Sequence, residues 1–398
     1  MISDDFKWTY MLNCFSWENM AKNSIRALIF FLLSNPALAE INIPNVSELE
    51  MAGRINIDSD YFDVLFREGS DNSIMKGQLR RARFAINADM FNEWSAKLQL
   101  AINENKKSLI VKDFYLVYEG WNFADVKMGK FKEPFGLERL TSSKNTVFIE
   151  RSLMSNVFSL GRNTGINFNR NADWYTWNVG LYKISKSPRL RQDGGLAITQ
   201  RFTFSPLKIG NGFSHLGLAY SKRELDGAGY ELKSNGGVFS GFNMLNTPIL
   251  ESDSLTQWGS EVAFGKDKWS IQAEYQAQEV TGIENSLNIE YRSYYSHVSY
   301  FISNDKRRYK NGRFVSVRPS SSLGSLELTA RYSVIENQSN WQFDELDKLS
   351  NKTVGINYYL NRDFKLMLNI LELKSSVSEA ISDQLSGQAL SLRIQVNL

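Results

Sequence analysis

Arg81 and Arg83 stand two residues apart in the run Arg81-Ala82-Arg83-Phe84-Ala85-Ile86-Asn87-Ala88-Asp89-Met90. A guanidinium presents a planar fork of N–H donors that matches two oxygens of a phosphate or carboxylate, whereas an ammonium supplies a point charge. On an extended chain side chains alternate with period two, so this spacing sends both arginines to one side. The pair reads either as a place to hold an oxyanion or as wall charges for neighbouring acids such as Asp89. Arg201, Arg223 and Arg331 can join it from other segments. Lys130 and Lys132 flank the entry to Glu133-Pro134-Phe135-Gly136, whose proline and glycine fix a bend. In the stretch 302–324, Lys306, Arg307, Arg308 and Lys310, with Arg313 and Arg318, face only Asp305. Such a cluster raises the local concentration of anions, or it is simply a solvated charge run.

Other chemistries have no residues to carry them. The 2 histidines, His215 and His297, lie in separate segments, and neither has a nucleophile and an acid spaced around it. No glycine-rich phosphate loop, His/Cys metal spacing or calcium loop occurs, so no cofactor or metal is expected. The formal charge of +3 is nearly balanced, which does not support nucleic acid as a partner. Electrostatic function must then come from local placement.

The elements that position these charges alternate. Ala82, Phe84, Ile86, Ala88 and Met90 make an apolar face opposite Arg81, Arg83, Ala85, Asn87 and Asp89. The pattern returns in Ile198, Phe202 and Phe204 against Thr199, Arg201 and Thr203, and in Leu390, Leu392, Ile394, Val396 and Leu398 against Ser391, Arg393, Gln395 and Asn397. About sixteen such segments of about eight to twelve residues can be counted, the number and length of a porin-sized transmembrane barrel. Tight links at 91–93, 122–125, 171–173, 266–268 and 361–363 alternate with long polar stretches at 131–163, 184–194, 224–257 and 335–352. That two-beat rhythm predicts an all-β, antiparallel, up-and-down barrel with short periplasmic turns and long outer loops. The stretch 302–324 is long yet falls on the short-turn side. With 17 Tyr, 25 Phe and 9 Trp the chain has the material for aromatic girdles, and alternation averages the mean hydropathy to -0.33.

Residues 22–39 combine a basic flank (Lys22, Arg26), an apolar run (Ala27 to Leu33) and small residues ending in Ala37-Leu38-Ala39, the three parts of a Sec-type export signal. Cleavage is expected near Ala39, leaving 40–398 as one outer-membrane domain. Asp4, Asp5, Trp8 and Glu18 do not suit such a signal, so translation is expected to start at Met20. The only cysteine, Cys14, lies in this upstream extension, which leaves the exported chain without a thiol.

Several stretches carry a family resemblance: Gly53-Arg54-Ile55, Leu79-Arg80-Arg81-Ala82-Arg83, Lys112-Asp113-Phe114-Tyr115-Leu116, Gly129-Lys130-Phe131-Lys132-Glu133-Pro134-Phe135-Gly136-Leu137-Glu138, Gly161-Arg162-Asn163 and Leu326-Glu327-Leu328-Thr329-Ala330-Arg331-Tyr332-Ser333. In order and spacing they resemble the phosphate-selective porins of the O and P type. The resemblance implies a sixteen-stranded outer-membrane barrel, usually trimeric, that passes inorganic phosphate or related small anions through a basic lumen. In porins the third long loop, here 131–163, folds inward to narrow the pore, which would bring Lys130 and Lys132 to the constriction. Two departures stand out. The chain ends on Leu398 rather than an aromatic residue, and the inferred lumen face mixes acids with its arginines, which leaves a general or organic-anion porin as the alternative reading and an outer-membrane hydrolase as a remote one.

Overall fold

The computed structural model describes residues 45–63, 75–103, 108–206, 212–283, 288–339, 346–377 and 385–398. The export signal, Cys14, Met20 and Ala39 lie outside the described residues. The strands in chain order are β1 (Val46–Phe62), β2 (Met75–Met90), β3 (Trp94–Asn103), β4 (Ser108–Tyr118), β5 (Asp125–Lys132), β6 (Arg162–Asn171), β7 (Tyr175–Lys183), β8 (Leu196–Phe204), β9 (Phe213–Tyr230), β10 (Lys233–Ser234), β11 (Leu245–Asn246), β12 (Leu250–Lys266), β13 (Trp269–Gly282), β14 (Asn288–Phe301), β15 (Arg308–Lys310), β16 (Arg313–Val315), β17 (Ser325–Asn337), β18 (Leu346–Tyr359), β19 (Phe364–Val377) and β20 (Leu385–Asn397). Two short helices, α1 (Leu137–Leu140) and α2 (Leu153–Val157), sit between β5 and β6. Sixteen of these strands pair antiparallel in chain order, and β1 pairs with β20, so the barrel is closed. β10–β11 and β15–β16 are separate two-stranded hairpins within connections.

The two faces of the wall are those the alternation predicts. In β8, Leu196, Ile198 and Phe202 are exposed while Ala197, Thr199, Arg201 and Thr203 are buried. Exposed apolar side chains outside and buried polar groups inside invert the order of a water-soluble protein and match a surface solvated by lipid. Closure satisfies the backbone of every strand, the condition for crossing a bilayer without helices. Among the described residues no helix is long and apolar enough to cross a membrane. At the tight-turn end, Trp94 lies on Tyr118, Trp121 stacks on Phe123, Trp174 packs on Tyr175 and Phe204, and Trp269 on Tyr300. This is a girdle at one interface.

Gly129 is required by the turn of β5 along β4. Its φ is 125°, and a Cβ there would lie 2.3 Å from the Phe114 carbonyl oxygen. Two expected boundaries move. The connection read as 224–257 is only 231–249, because β9 runs to Tyr230 and β12 begins at Leu250; that read as 335–352 narrows to 338–345. For the first the reason is a local irregularity: the register between β9 and β12 shifts at Ser252/Ser254, opposite Asp226 and Gly227, both with positive φ, so pairing continues where alternation is lost. The stretch 302–324 joins β14 to β17 at the tight-turn end.

Candidate functional site

On β1 and β2 the inward rows place Arg54 directly opposite Arg83, and Asn56 opposite Arg81. The register then skips from Arg81 to Leu79, leaving Arg80 as the extra residue of a bulge. A bulge re-aims side chains, and here two consecutive arginines turn to the same acid. Arg80 Nε and Nη2 donate to Glu150 at 2.9 and 3.1 Å, and Arg81 Nη2 lies 3.7 Å from it. Lys112 is likewise the extra residue of a bulge between Gln99 and Leu100 of β3.

Several cations along β1–β6 have no acid. Arg54 is buried, with Nε and Nη1 unpartnered. Arg83 has no hydrogen bond or ion pair among the described residues. Lys132 donates only to the Arg139 carbonyl at 2.8 Å. Arg139 Nε has no partner, and burial together with the repulsion of Arg151 and Arg162 holds its guanidinium well below the ordinary range. Arg151 donates to the carbonyls of Glu138 and Thr141 at 3.1 and 2.9 Å. Lys127 Nζ sits 3.7 Å above the Tyr115 ring and 4.5 Å above Phe131. Arg162 is paired with Asp113 at 2.7 Å, as Arg80 and Arg81 are with Glu150. Like charges gathered at low dielectric are costly, and a bound anion relieves that cost.

The arginines of β8, β9, β17 and β20 are held by acids. Arg201 grips Glu261 (2.8 and 2.5 Å) and the Gly312 carbonyl, and Arg223 grips Glu133 (2.8 and 3.0 Å). Arg331 donates to the Glu150 carbonyl at 2.9 Å and lies 3.6 Å from Glu138, and Arg393 is shared by Asp58 and Glu150. His215 bridges Tyr309 and Glu261. Arg201, Arg223 and Arg331, expected beside Arg81 and Arg83, are therefore held in ion pairs on another sector of the wall. Lys130 is the cross-strand partner of Phe114 and Thr164, both exposed, and the ladder runs on without a shift to pair Lys132 with Arg162.

The segment 133–161 is tied to strands all round the barrel. Leu137 N and Glu138 N donate to Glu274 on β13 at 2.8 and 2.7 Å, Ile149 N to Asn369 on β19, Leu153 N to Ser333 on β17, and Gln257 on β12 donates to the Phe158 carbonyl. From the tight-turn end, Phe314 N donates to Thr141, and Arg307 donates to the Asn145 carbonyl. Arg307 is buried against Glu327 at 2.6 and 2.5 Å, which corrects its expected place as a free charge at the mouth. Lys306 and Lys310 are exposed, and Arg308 is half-buried.

Strict alternation turns Arg80 toward lipid and so misses it. The available signal is the adjacency of Arg80 and Arg81: one of two neighbouring charges on a regular strand must face hydrocarbon, at about 2–4 kcal/mol, unless a bulge intervenes. Arg54 was visible in the motif Gly53-Arg54-Ile55, but its pairing with Arg83 depends on register.

Comparison with known proteins places the chain among such barrels. Residues 49–398 match the family described as phosphate-selective porin O and P. Porin O of Pseudomonas aeruginosa is 24% identical over 367 residues, covering 82% of this chain and 83% of that protein. Among solved structures, the anion-selective porin from Comamonas acidovorans superposes with a TM-score of 0.58 at 13% identity, covering 88% of this chain and 99% of that one. The outer membrane channel DcaP of Acinetobacter baumannii gives 0.58 at 12%, covering 88% and 97%.

Proposed function

The chain belongs to the phosphate-selective porin O and P family and is an outer-membrane porin, and from that premise we propose that phosphate or related small anions cross it along the β1–β6 wall. The observation that carries this reading is the set of buried guanidinium N–H groups without a partner at Arg54 and Arg139, beside the half-buried Arg83, which meets no acid among the described residues. A dehydrated oxyanion needs such donors, and fixed arginines supply them without reorganisation. Arg81, whose Nη1 has no partner although Nη2 lies 3.7 Å from Glu150, and Lys132 extend the row. The segment 133–161 is read as the third loop folded into the lumen, since its hydrogen-bond partners on β12, β13, β17 and β19 surround it. Lys306, Arg308 and Lys310 are read as exit charges at the tight-turn mouth. A homotrimer, export by the signal ending near Ala39, and a channel rather than an enzymatic role complete the reading.

Planar-bilayer recording tests it. Under a salt gradient the reversal potential is expected on the anion side, with phosphate competing against chloride current. Arg81→Ala with Arg83→Ala should move the potential toward cations while the barrel still assembles, because water fills the vacated lumen. A wild-type reversal potential favouring cations would refute the anion reading. Anion selectivity without phosphate competition would favour the general or organic-anion alternative.

A further inference from the structure

A lysine on the lipid side of a barrel is out of place unless its ammonium reaches a polar layer. Lys130, Lys183 and Lys222 stand on the outer face of β5, β7 and β9, toward the long-loop end. Lys130 lies opposite Phe114, 63% exposed, and opposite Thr164 on β6, also exposed, while Phe131 beside it is buried in the apolar cluster with Tyr182. Thr164 in turn lies opposite Lys183, which is exposed and follows the buried Tyr182. Lys222 is exposed opposite Ile198 of β8, whereas its neighbour Arg223 is buried on Glu133. Side chains directly opposite each other share a face, so the outward row reads Lys130, Thr164, Lys183, and Lys222 follows on β9.

Their height is fixed by the girdle at the other end. Lys130 is seven residues from Phe123 and Lys183 nine from Trp174. At about 3.3 Å per residue and a tilt of about 40°, these are about 18 and 23 Å along the barrel axis, near the far rim of an apolar band about 25 Å tall. The three ammonium groups have no hydrogen bond or ion pair among the described residues, and Glu224 and Asp226, the acids that follow on β9, make none with them. Further round the wall the outward cations at the same end are matched. Arg292 holds Glu290 at 2.9 Å, Lys348 holds Glu336 at 2.8 Å and Lys374 holds Glu372 at 3.4 Å, while Lys352 faces Glu372 across the ladder. Unmatched positive charge on the lipid side is thus confined to β5–β9 among these residues.

We propose that the outer rim of β5–β9 is a docking surface for a lipid of the outer leaflet whose headgroup carries more than one phosphate, with Lys130, Lys183 and Lys222 as its ammonium donors. Positive side chains at a membrane surface attract anionic headgroups, and at the rim the ammonium reaches that layer without entering hydrocarbon. Four strand spacings of about 4.8 Å separate β5 from β9, so the row spans about 19 Å, too wide for a single phosphate. Below it Ile166, Leu181 and Leu218 are exposed and offer the acyl chains an apolar wall. The inference rests on the outer-membrane barrel and not on the anion reading of the pore.

The test titrates the full-length porin in detergent micelles with lipopolysaccharide, and with the same lipid stripped of its phosphates, and reads the bound fraction by native mass spectrometry. Wild type should bind the phosphorylated form in preference to the stripped one. Lys130→Gln, Lys183→Gln and Lys222→Gln together should weaken that binding by about a hundredfold at low salt, about fivefold for each ammonium removed. The corresponding triple replacement by arginine should keep it, and Lys352→Gln, which removes a matched charge, should leave it unchanged. Equal affinity for the two lipids, or equal affinity of wild type and the glutamine variant, with assembly confirmed by heat-modifiable migration, would overturn the assignment. A glutamine variant that loses its oligomer in lipid-free detergent would also overturn it, by giving the lysines to a contact with a second copy of the chain. Sodium phosphate should displace no more lipid than sodium sulfate of equal ionic strength; preferential displacement by phosphate would make the rim a free-phosphate site. A cation-side reversal potential with lipid binding intact would instead fault only the anion reading.

Discussion

Arg223 and Arg83 bear the same group on the same face of neighbouring kinds of strand, and their partners make them different. Arg223 is bidentate to Glu133, which also takes the Thr199 hydroxyl and the Asn163 amide, whereas Arg83 meets no acid among the described residues. Removing one member of a buried pair strands the other charge and typically costs about 3–5 kcal/mol. Arg223→Ala is therefore expected to lower the temperature at which the detergent-extracted barrel unfolds, while its reversal potential stays on the anion side. Retained thermal stability together with lost anion selectivity would move Arg223 from the wall into the pathway.

At the scale of the element, the 133–161 segment hangs on its acids. Burial alone would raise the Glu150 carboxyl, but Arg80, Arg81 and Arg393 outweigh it and hold the group far below the usual carboxylate range. Because the folded value is depressed, the stabilisation is complete above the unfolded value of about 4.3 and fades as pH falls below it toward the folded value. Stability should then be flat between pH 7 and pH 5 for this group and decline only in stronger acid. Glu150→Gln should be less stable at neutral pH and show a flatter acid decline, read by thermal unfolding across a pH series. A wild-type loss already complete by pH 5 would mean that another group anchors the segment.

At the scale of the whole molecule, the lumen is electrically lopsided. Among the described residues, cations without acids (Arg54, Arg83, Lys127, Lys132, Arg139) gather along β1–β6 and the segment after it, the arginines of β8, β9, β17 and β20 are paired, and a basic exposed set lies at the tight-turn mouth. Neutralising Lys306, Arg308 and Lys310 should reduce phosphate conductance strongly at 0.01 M salt and little at 1 M, since the reach of exposed charges shrinks from about 30 Å to about 3 Å. Arg307 is left out because its bond to Glu327 makes it a fastening of the inward turn. An equal loss at both salts would point to a damaged turn and not to long-range attraction.

The sequence by itself determined the wall. Alternation is a local property with period two, so the sixteen closed strands, the apolar outside and the side on which 302–324 emerges were all legible in runs such as Ile198 to Thr203. It determined charge type as well: Arg81, Arg83 and Arg201 were read onto the polar face. Tertiary structure alone decided which arginines are free. Arg201, Arg223 and Arg307 take partners 60, 90 and 20 residues away, and Arg80 faces Glu150 only through a bulge. It also decided that Ser240, in the connection after β9, reaches Asp60, 180 residues distant in sequence. Such pairings follow from closure of the ring, which brings together residues whose local patterns carry no mark of one another.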